Sequence, residues 1–179
     1  MAGGPTGGLR PVALDAQVPV QHERQRAVEL AYGAIARRER TVAELRAYLE
    51  RKRVGPASID SAVEELVSTG YLDDAGYARR FADDRRRLDS WGCERIERDL
   101  RRRGVEPALV EAALATRRRA DEIHAAVELL ARRLAAPPRD ARERGRAWSL
   151  LVRRGYDPEV AYDAVREHER AGGPTGRAA

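Results

Sequence analysis

The sequence predicts an all-α protein built from three tandem three-helix repeats, packed into an elongated, curved array. Three observations carry that expectation. The first is a register of 51 residues: Leu49, Leu100 and Leu151 match, as do Val54, Val105 and Tyr156, Pro56, Pro107 and Pro158, and Val63, Leu114 and Val165. Three copies without a gap mark a repeated supersecondary unit. The second is the absence of any sustained alternation with a period of two, so no segment reads as a strand. The third is composition: charged residues make up 35% and aromatics 5%, which leaves each unit a thin aliphatic interior. A unit of that size has little core of its own, so neighbouring copies should stack.

Taken in order, residues 1–22 are rich in Gly, Pro and Ala and read as a disordered tail, as do residues 171–179. The five-residue string GGPTG occurs in both ends, at 3–7 and 172–176. The first repeat, 23–73, holds helices over 24–39, 42–53 and 56–69. Arg53 stands at the turn where the later copies carry Gly104 and Gly155, and a proline opens the next helix, where its missing N–H costs nothing. Gly70 suits a helix C-cap, Tyr71 and Leu72 follow, and Asp73 and Asp74 cap and charge the start of the next helix.

The second repeat, 74–119, opens with a helix over 74–88 that places Tyr77, Phe81 and Leu88 on one face as core. Ser90, Trp91 and Gly92 break it, and a helix over 93–103 turns Ile96 and Leu100 inward. Trp91 either plugs a seam between helices or lies exposed. After the Gly104 turn comes a helix over 107–117. The third repeat, 120–170, holds helices over 121–135, 141–154 and 158–169. Residues 108–135 contain neither Gly nor Pro, so the join admits one long helix or two.

Charge is distributed unevenly. Residues 74–119 carry 13 basic and 9 acidic side chains, a net of +4 in a chain whose total is +5. A local excess of that kind favours an anionic partner. Within the helix over 93–103, Arg95, Arg98 and Arg102 line a stripe facing away from Ile96 and Leu100. The matching positions are Glu44, Ala47 and Arg51 in the first copy and Arg146, Ser149 and Arg153 in the third. A purely structural need would place similar residues in all three copies. Arg79, Arg80, Arg86 and Arg87 add to the basic surface of the same repeat, and together with the stripe they are the candidate partner-binding residues.

Reactive chemistry is not in evidence. His22, His124 and His168 are scattered, no metal-ligand spacing occurs, and there is no glycine-rich phosphate loop. Cys93 stands alone, which excludes an internal disulfide and fits a reducing cytoplasm. It reads as a small packing residue. Asp83 and Asp84 lie within a turn of several arginines and read as ion-pair partners rather than paired catalytic carboxylates. No apolar run could span a bilayer, and the N-terminus shows no export signal. The chain reads as a binding protein with no catalytic site, no metal and no cofactor.

The stretch GYLDDAGYARRFADDRRRLDSWGCERIERDLRRRGV, residues 70–105, resembles the RecX family, bacterial regulators of the RecA recombinase. The likeness rests on a Gly-Tyr-Leu-Asp-Asp turn, a following Tyr-Ala-Arg, and a Gly-x3-Ile-x3-Leu helix. These are Gly70, Tyr71, Leu72, Asp73 and Asp74, then Tyr77, with Phe81 and Trp91 between, then Gly92, Ile96 and Leu100, closed by Gly104. The resemblance extends over about residues 24–169. It implies a monomer that binds the RecA filament on single-stranded DNA, lodges in its groove, and damps ATP hydrolysis, strand exchange and the SOS response, without a cofactor. A weak direct contact with DNA is compatible with it. The rival reading is a helix-turn-helix DNA-binding protein. That motif reads bases with the second helix of its pair, and here that helix, PALVEAALAT, holds one acid and no base before Arg117.

Overall fold

The computed structural model of the chain describes residues 14–172, with side chains from residue 21 to residue 171. Nine helices and no strand occur among the described residues, in two compact units that divide between Leu72 and Asp73.

The first unit contains α1 (Leu14–Ile35), α2 (Val42–Arg51) and α3 (Pro56–Ser68). Ala27, Ala31 and Ala34 repeat along one face of α1, and their small side chains let it lie close on Leu45 and Leu49 of α2 and Ile59, Ala62, Val63 and Leu66 of α3. Thr41 is buried as the N-cap of α2, its hydroxyl accepting from the Glu44 N–H at 3.1 Å. The Glu23 carboxylate accepts from the Gly55 N–H at 2.8 Å at the start of α3. Two expectations need correction here. Helix α1 begins at Leu14 rather than 24, so residues 14–22 are helical and not part of a tail. It also ends at Ile35 rather than 39, and the Arg40 Nε donates to the Ala34 carbonyl in its last turn. The expected tails over 1–13 and 173–179, with most of both GGPTG strings, lie outside the described residues.

The second unit holds α4 (Asp74–Asp89), α5 (Cys93–Arg102) and α6 (Pro107–Leu114), then α7 (Arg119–Arg133), α8 (Ala141–Arg153) and α9 (Pro158–Gly172). The core of α4–α6 comprises Tyr77, Ala78, Ala82, Ile96, Leu100, Val105, Val110 and Ala113. That of α7–α9 is centred on Leu129, Leu130, Leu151, Tyr156, Val160 and Val165.

The 51-residue register is a backbone device. At the end of α2, α5 and α8, residues Arg53, Gly104 and Gly155 take positive φ, at 58°, 76° and 85°. The next residue's N–H reaches back to the repeat leucine: Val54 to Leu49, Val105 to Leu100 and Tyr156 to Leu151, each at 3.2 Å. A shorter bond joins Arg53, Gly104 and Gly155 to Glu50, Arg101 and Val152. This is a Schellman closure, and the hydrophobic contact that accompanies it joins the same two positions. The repeat therefore preserves a leucine and a Val or Tyr because the turn brings them together under it. All six are buried. Pro56, Pro107 and Pro158 then open α3, α6 and α9.

Helix α4 departs from its expected face. Ala78 and Ala82 are fully buried and Tyr77 nearly so, whereas Phe81 is half-buried and Leu88 is 66% exposed. The physical reason is length: α4 has 16 residues and its partner α6 only 8, so the last turn of α4 outruns the core. Helix α6 itself stops at Leu114, three residues before its expected end, and the join to the third repeat is two helices. The Thr116 hydroxyl donates to the Ala113 carbonyl at 3.0 Å, and the Arg86 guanidinium to the Leu114 carbonyl at 3.4 Å. A cation at a helix C-terminus satisfies an orphan acceptor and complements the dipole. No sequence signal of Gly or Pro was needed to end α6, because a side chain from α4 ends it.

Candidate partner-binding face

Helix α5 begins at a glycine and buries two residues. Gly92 is its N-cap, and Ile96 and Leu100 point inward with no exposed surface. At 100° per residue that leaves Arg95, Arg98 and Arg102 on the outer side. Their surroundings differ. Arg95 is half-buried, with its guanidinium carbon 4.0 Å from the centroid of the Trp91 ring. Arg98 is exposed. Arg102 is 72% exposed and pairs with Asp99 on the same helix. Glu97 pairs with Arg101 at 2.7 Å, so part of the basic count on α5 is already compensated.

Trp91 belongs to an aromatic–arginine cluster. Tyr77 and Phe81 stack at 6.0 Å, and Phe81 meets Trp91 edge-on at 6.4 Å. Arg85 lies over both Phe81 and Trp91, at 5.3 and 5.6 Å, and Arg103 lies over Phe81 at 5.1 Å. These rings hold guanidinium groups of their own repeat, and partly desolvated pairs of this kind fix both partners. Trp91 therefore fills a seam, the first of its two expected readings, with Arg95 laid across it.

Beside this cluster the second and third repeats meet backbone to backbone. The Gly92 N–H donates to the Arg154 carbonyl and the Glu94 N–H to the Gly155 carbonyl, both at 3.0 Å. A Cβ built on Gly92 would overlap the Gly155 carbonyl and the Tyr156 nitrogen. Arg154 donates to the Asp89 carbonyl at 2.8 Å, Arg132 to the Ser90 hydroxyl at 3.1 Å, and the Cys93 N–H to the Glu122 carboxylate at 2.9 Å. Gly92 and Gly155 set the approach. The sequence showed both glycines but not that they meet.

The remaining candidates separate into outer and inner residues. Arg79 and Arg80 are exposed on α4, and Arg87 is exposed with Asp84 as an ion-pair partner at 3.3 Å. Arg86 is turned inward: its side chain is only 9% exposed, and it serves the end of α6 and contacts Cys93 Sγ at 3.7 Å. Its expected place among the surface arginines is corrected by that geometry. Gly70 takes φ 74° after α3, and Leu72 is buried in the first unit's core while Tyr71 is largely exposed and packs edge-on against Tyr32. Asp73 caps α4, accepting from the Gly76 N–H at 2.9 Å, and Asp74 sits in its first turn.

Burial and the neighbouring Glu122 carboxylate push the Cys93 thiol up to about 11, so it is held protonated rather than activated. No group of three or more His, Cys, Asp or Glu side chains able to hold a metal occurs among the described residues. No helix among them is long and apolar enough to cross a membrane.

Against known proteins, residues 27–66 match the first three-helix domain of RecX and residues 73–114 the second. A regulatory protein RecX of Deinococcus radiodurans is 36% identical over 151 residues, which cover 83% of this chain and 72% of that protein. The chain belongs to the RecX family of regulatory proteins. RecX of Pseudomonas savastanoi pv. phaseolicola is 37% identical over 152 residues, covering 82% of this chain and 89% of the relative. The crystal structure of RecX from Lactobacillus salivarius superposes with a TM-score of 0.77 across 84% of this chain and 99% of that one. At 16% identity it speaks for the fold alone. The second RecX domain match spans α4–α6, the part of the chain that holds the α5 stripe and the aromatic–arginine cluster.

Proposed function

We propose that this chain binds the RecA recombinase on its single-stranded-DNA filament, seats in the filament groove as a monomer, and inhibits ATP hydrolysis, strand exchange and SOS coprotease activity. It acts in the cytoplasm by binding, without a cofactor and without chemistry of its own. Membership in the RecX family carries the reading, and the outer side of α5 gives it a surface. There Arg98 and Arg102 stand out from a helix anchored by Ile96 and Leu100, with Arg95 steadied on Trp91 beside them. An acidic groove or the phosphates of a nucleoprotein filament would be drawn to that face, and the attraction would weaken with salt.

The test is RecA's single-strand-dependent ATPase measured across a salt series with the parent and with the Arg98→Ala/Arg102→Ala double variant. Arg95 is left in place because it packs on Trp91, so its removal would disturb the seam as well as the charge. Inhibition by the parent that weakens in the double variant, most strongly at low salt, supports the proposal. A parent without effect on the ATPase defeats the RecA reading, and a double variant that inhibits as well as the parent at every salt concentration removes α5 from the contact.

A further inference from the structure

A cleft of about 390 Å³ opens between α4 and the α6–α7 join, lined by Arg79, Asp83, Arg86, Ala113, Thr116 and Arg117. It lies apart from the α5 stripe in sequence and in helix. Arg79, Asp83 and Arg86 share a face of α4 because they are spaced by four and three residues. Arg117 is brought opposite by the break after Leu114, which the sequence did not signal.

The charges in this cleft do not balance. It contains three guanidinium groups and one carboxylate. Asp83 is 76% exposed and only 3.5 Å from Arg86 at best, so it screens that arginine weakly. Arg86 is more than nine-tenths buried, and its Nε has no hydrogen-bond partner. Its other contacts are a carbonyl and a thiol, neither of which carries an opposite charge. Arg117 is half-buried and donates to the Asp121 carbonyl at 2.8 Å. Arg79 is exposed at the rim. Three guanidinium groups against the single Asp83 carboxylate in the lining leave an excess of positive charge, and partly buried cations focus that potential into the concavity they line.

We infer that this cleft is a binding site for a carboxylate side chain presented by an acidic segment of a protein partner. The planar guanidinium matches a carboxylate edge to edge. The cleft also favours a group at the end of a side chain, since the Arg86 side chain among its lining residues is only 9% exposed. A phosphodiester is flanked by two sugars and sits best on projecting arginines, whereas a carboxylate at the end of a side chain can reach a guanidinium set back in a cleft.

The experiment uses the full chain and needs no RecA, so it stands or falls separately from the proposed function. Fluorescence anisotropy would follow a fluorescein-labelled oligoglutamate peptide, and in a second arm an oligothymidylate of equal charge. Arg79→Gln and Arg117→Gln are the variants, with helical content checked by circular dichroism, and Arg133→Gln, on exposed α7 surface, is the charge-matched control. Each cleft variant is expected to weaken oligoglutamate binding about tenfold, the loss of one charge-assisted contact, while Arg133→Gln changes it little. The inference is overturned if the peptide does not bind, if the control weakens binding as much as the cleft variants, or if oligothymidylate is the ligand whose affinity follows Arg79 and Arg117.

Discussion

Replacing Gly155 by alanine tests whether the contact between the second and third repeats is a glycine-set backbone interlock. Gly155 has φ 85°, where a side chain costs about 1 kcal/mol relative to glycine. A Cβ there would also overlap the Arg95 Cβ and come within 2.6 Å of its backbone nitrogen and 2.9 Å of its Cα. Backbone atoms cannot rotate away, so α5 and the α8–α9 turn must separate. Separation breaks the bonds from the Gly92 and Glu94 N–H groups, each contributing about 1 kcal/mol net. The expected loss is therefore about 3 kcal/mol. Gly70→Ala is the matched control: its φ is 74°, and nothing lies within 4 Å of the added Cβ, so only the backbone term of about 1 kcal/mol applies. Urea unfolding gives the two costs, and amide exchange at Gly92 and Glu94 reports the seam directly. If Gly155→Ala costs no more than Gly70→Ala and leaves those two amides protected, the interlock does not hold the repeats together.

Two further outcomes are expected. Arg53 occupies the left-handed turn position that Gly104 and Gly155 fill in the other copies, so Arg53→Gly should stabilise the first unit by about 0.5–1 kcal/mol, after the extra freedom of the unfolded chain is set against relieved strain. A lowered urea midpoint would contradict this. Stability should also fall as pH rises from about 9 to 12. The ordinary thiol loses its proton near 9.0 and the ordinary phenol near 10.0, while the folded Cys93 and Tyr156 are pushed up to about 11 and about 12 by burial. Through that window the unfolded chain holds fewer protons than the folded one, so the contribution is complete below pH 9 and is lost as each folded value is passed. Urea melts of the parent, Cys93→Ala and Tyr156→Phe between pH 8 and 12 check it, and a parent curve that stays flat would refute it.

Features that depend on local chemistry repeated in register can be read directly from the chain. Pro56, Pro107 and Pro158 at helix starts, the Arg53, Gly104 and Gly155 turns, the Asp73 cap, and the buried leucines Leu49, Leu100 and Leu151 were all legible, because each rests on neighbours within one turn of chain. The stretch from Gly70 to Val105 likewise carried the family, since its turn and helix spacings are local. Tertiary structure decided what depends on which surfaces meet. Leu88 had the periodicity of a core residue, yet it is exposed because α6 is too short to cover it. Arg86 had the spacing of a surface charge, yet it lies inside because the end of α6 offers a carbonyl that needs a donor. Gly92 and Gly155 are 63 residues apart in sequence, and no periodicity within either repeat could announce that their backbones touch. Periodicity tells which side of a helix is apolar, but the length of the facing helix and the unsatisfied groups at its ends decide which residues that side finally covers.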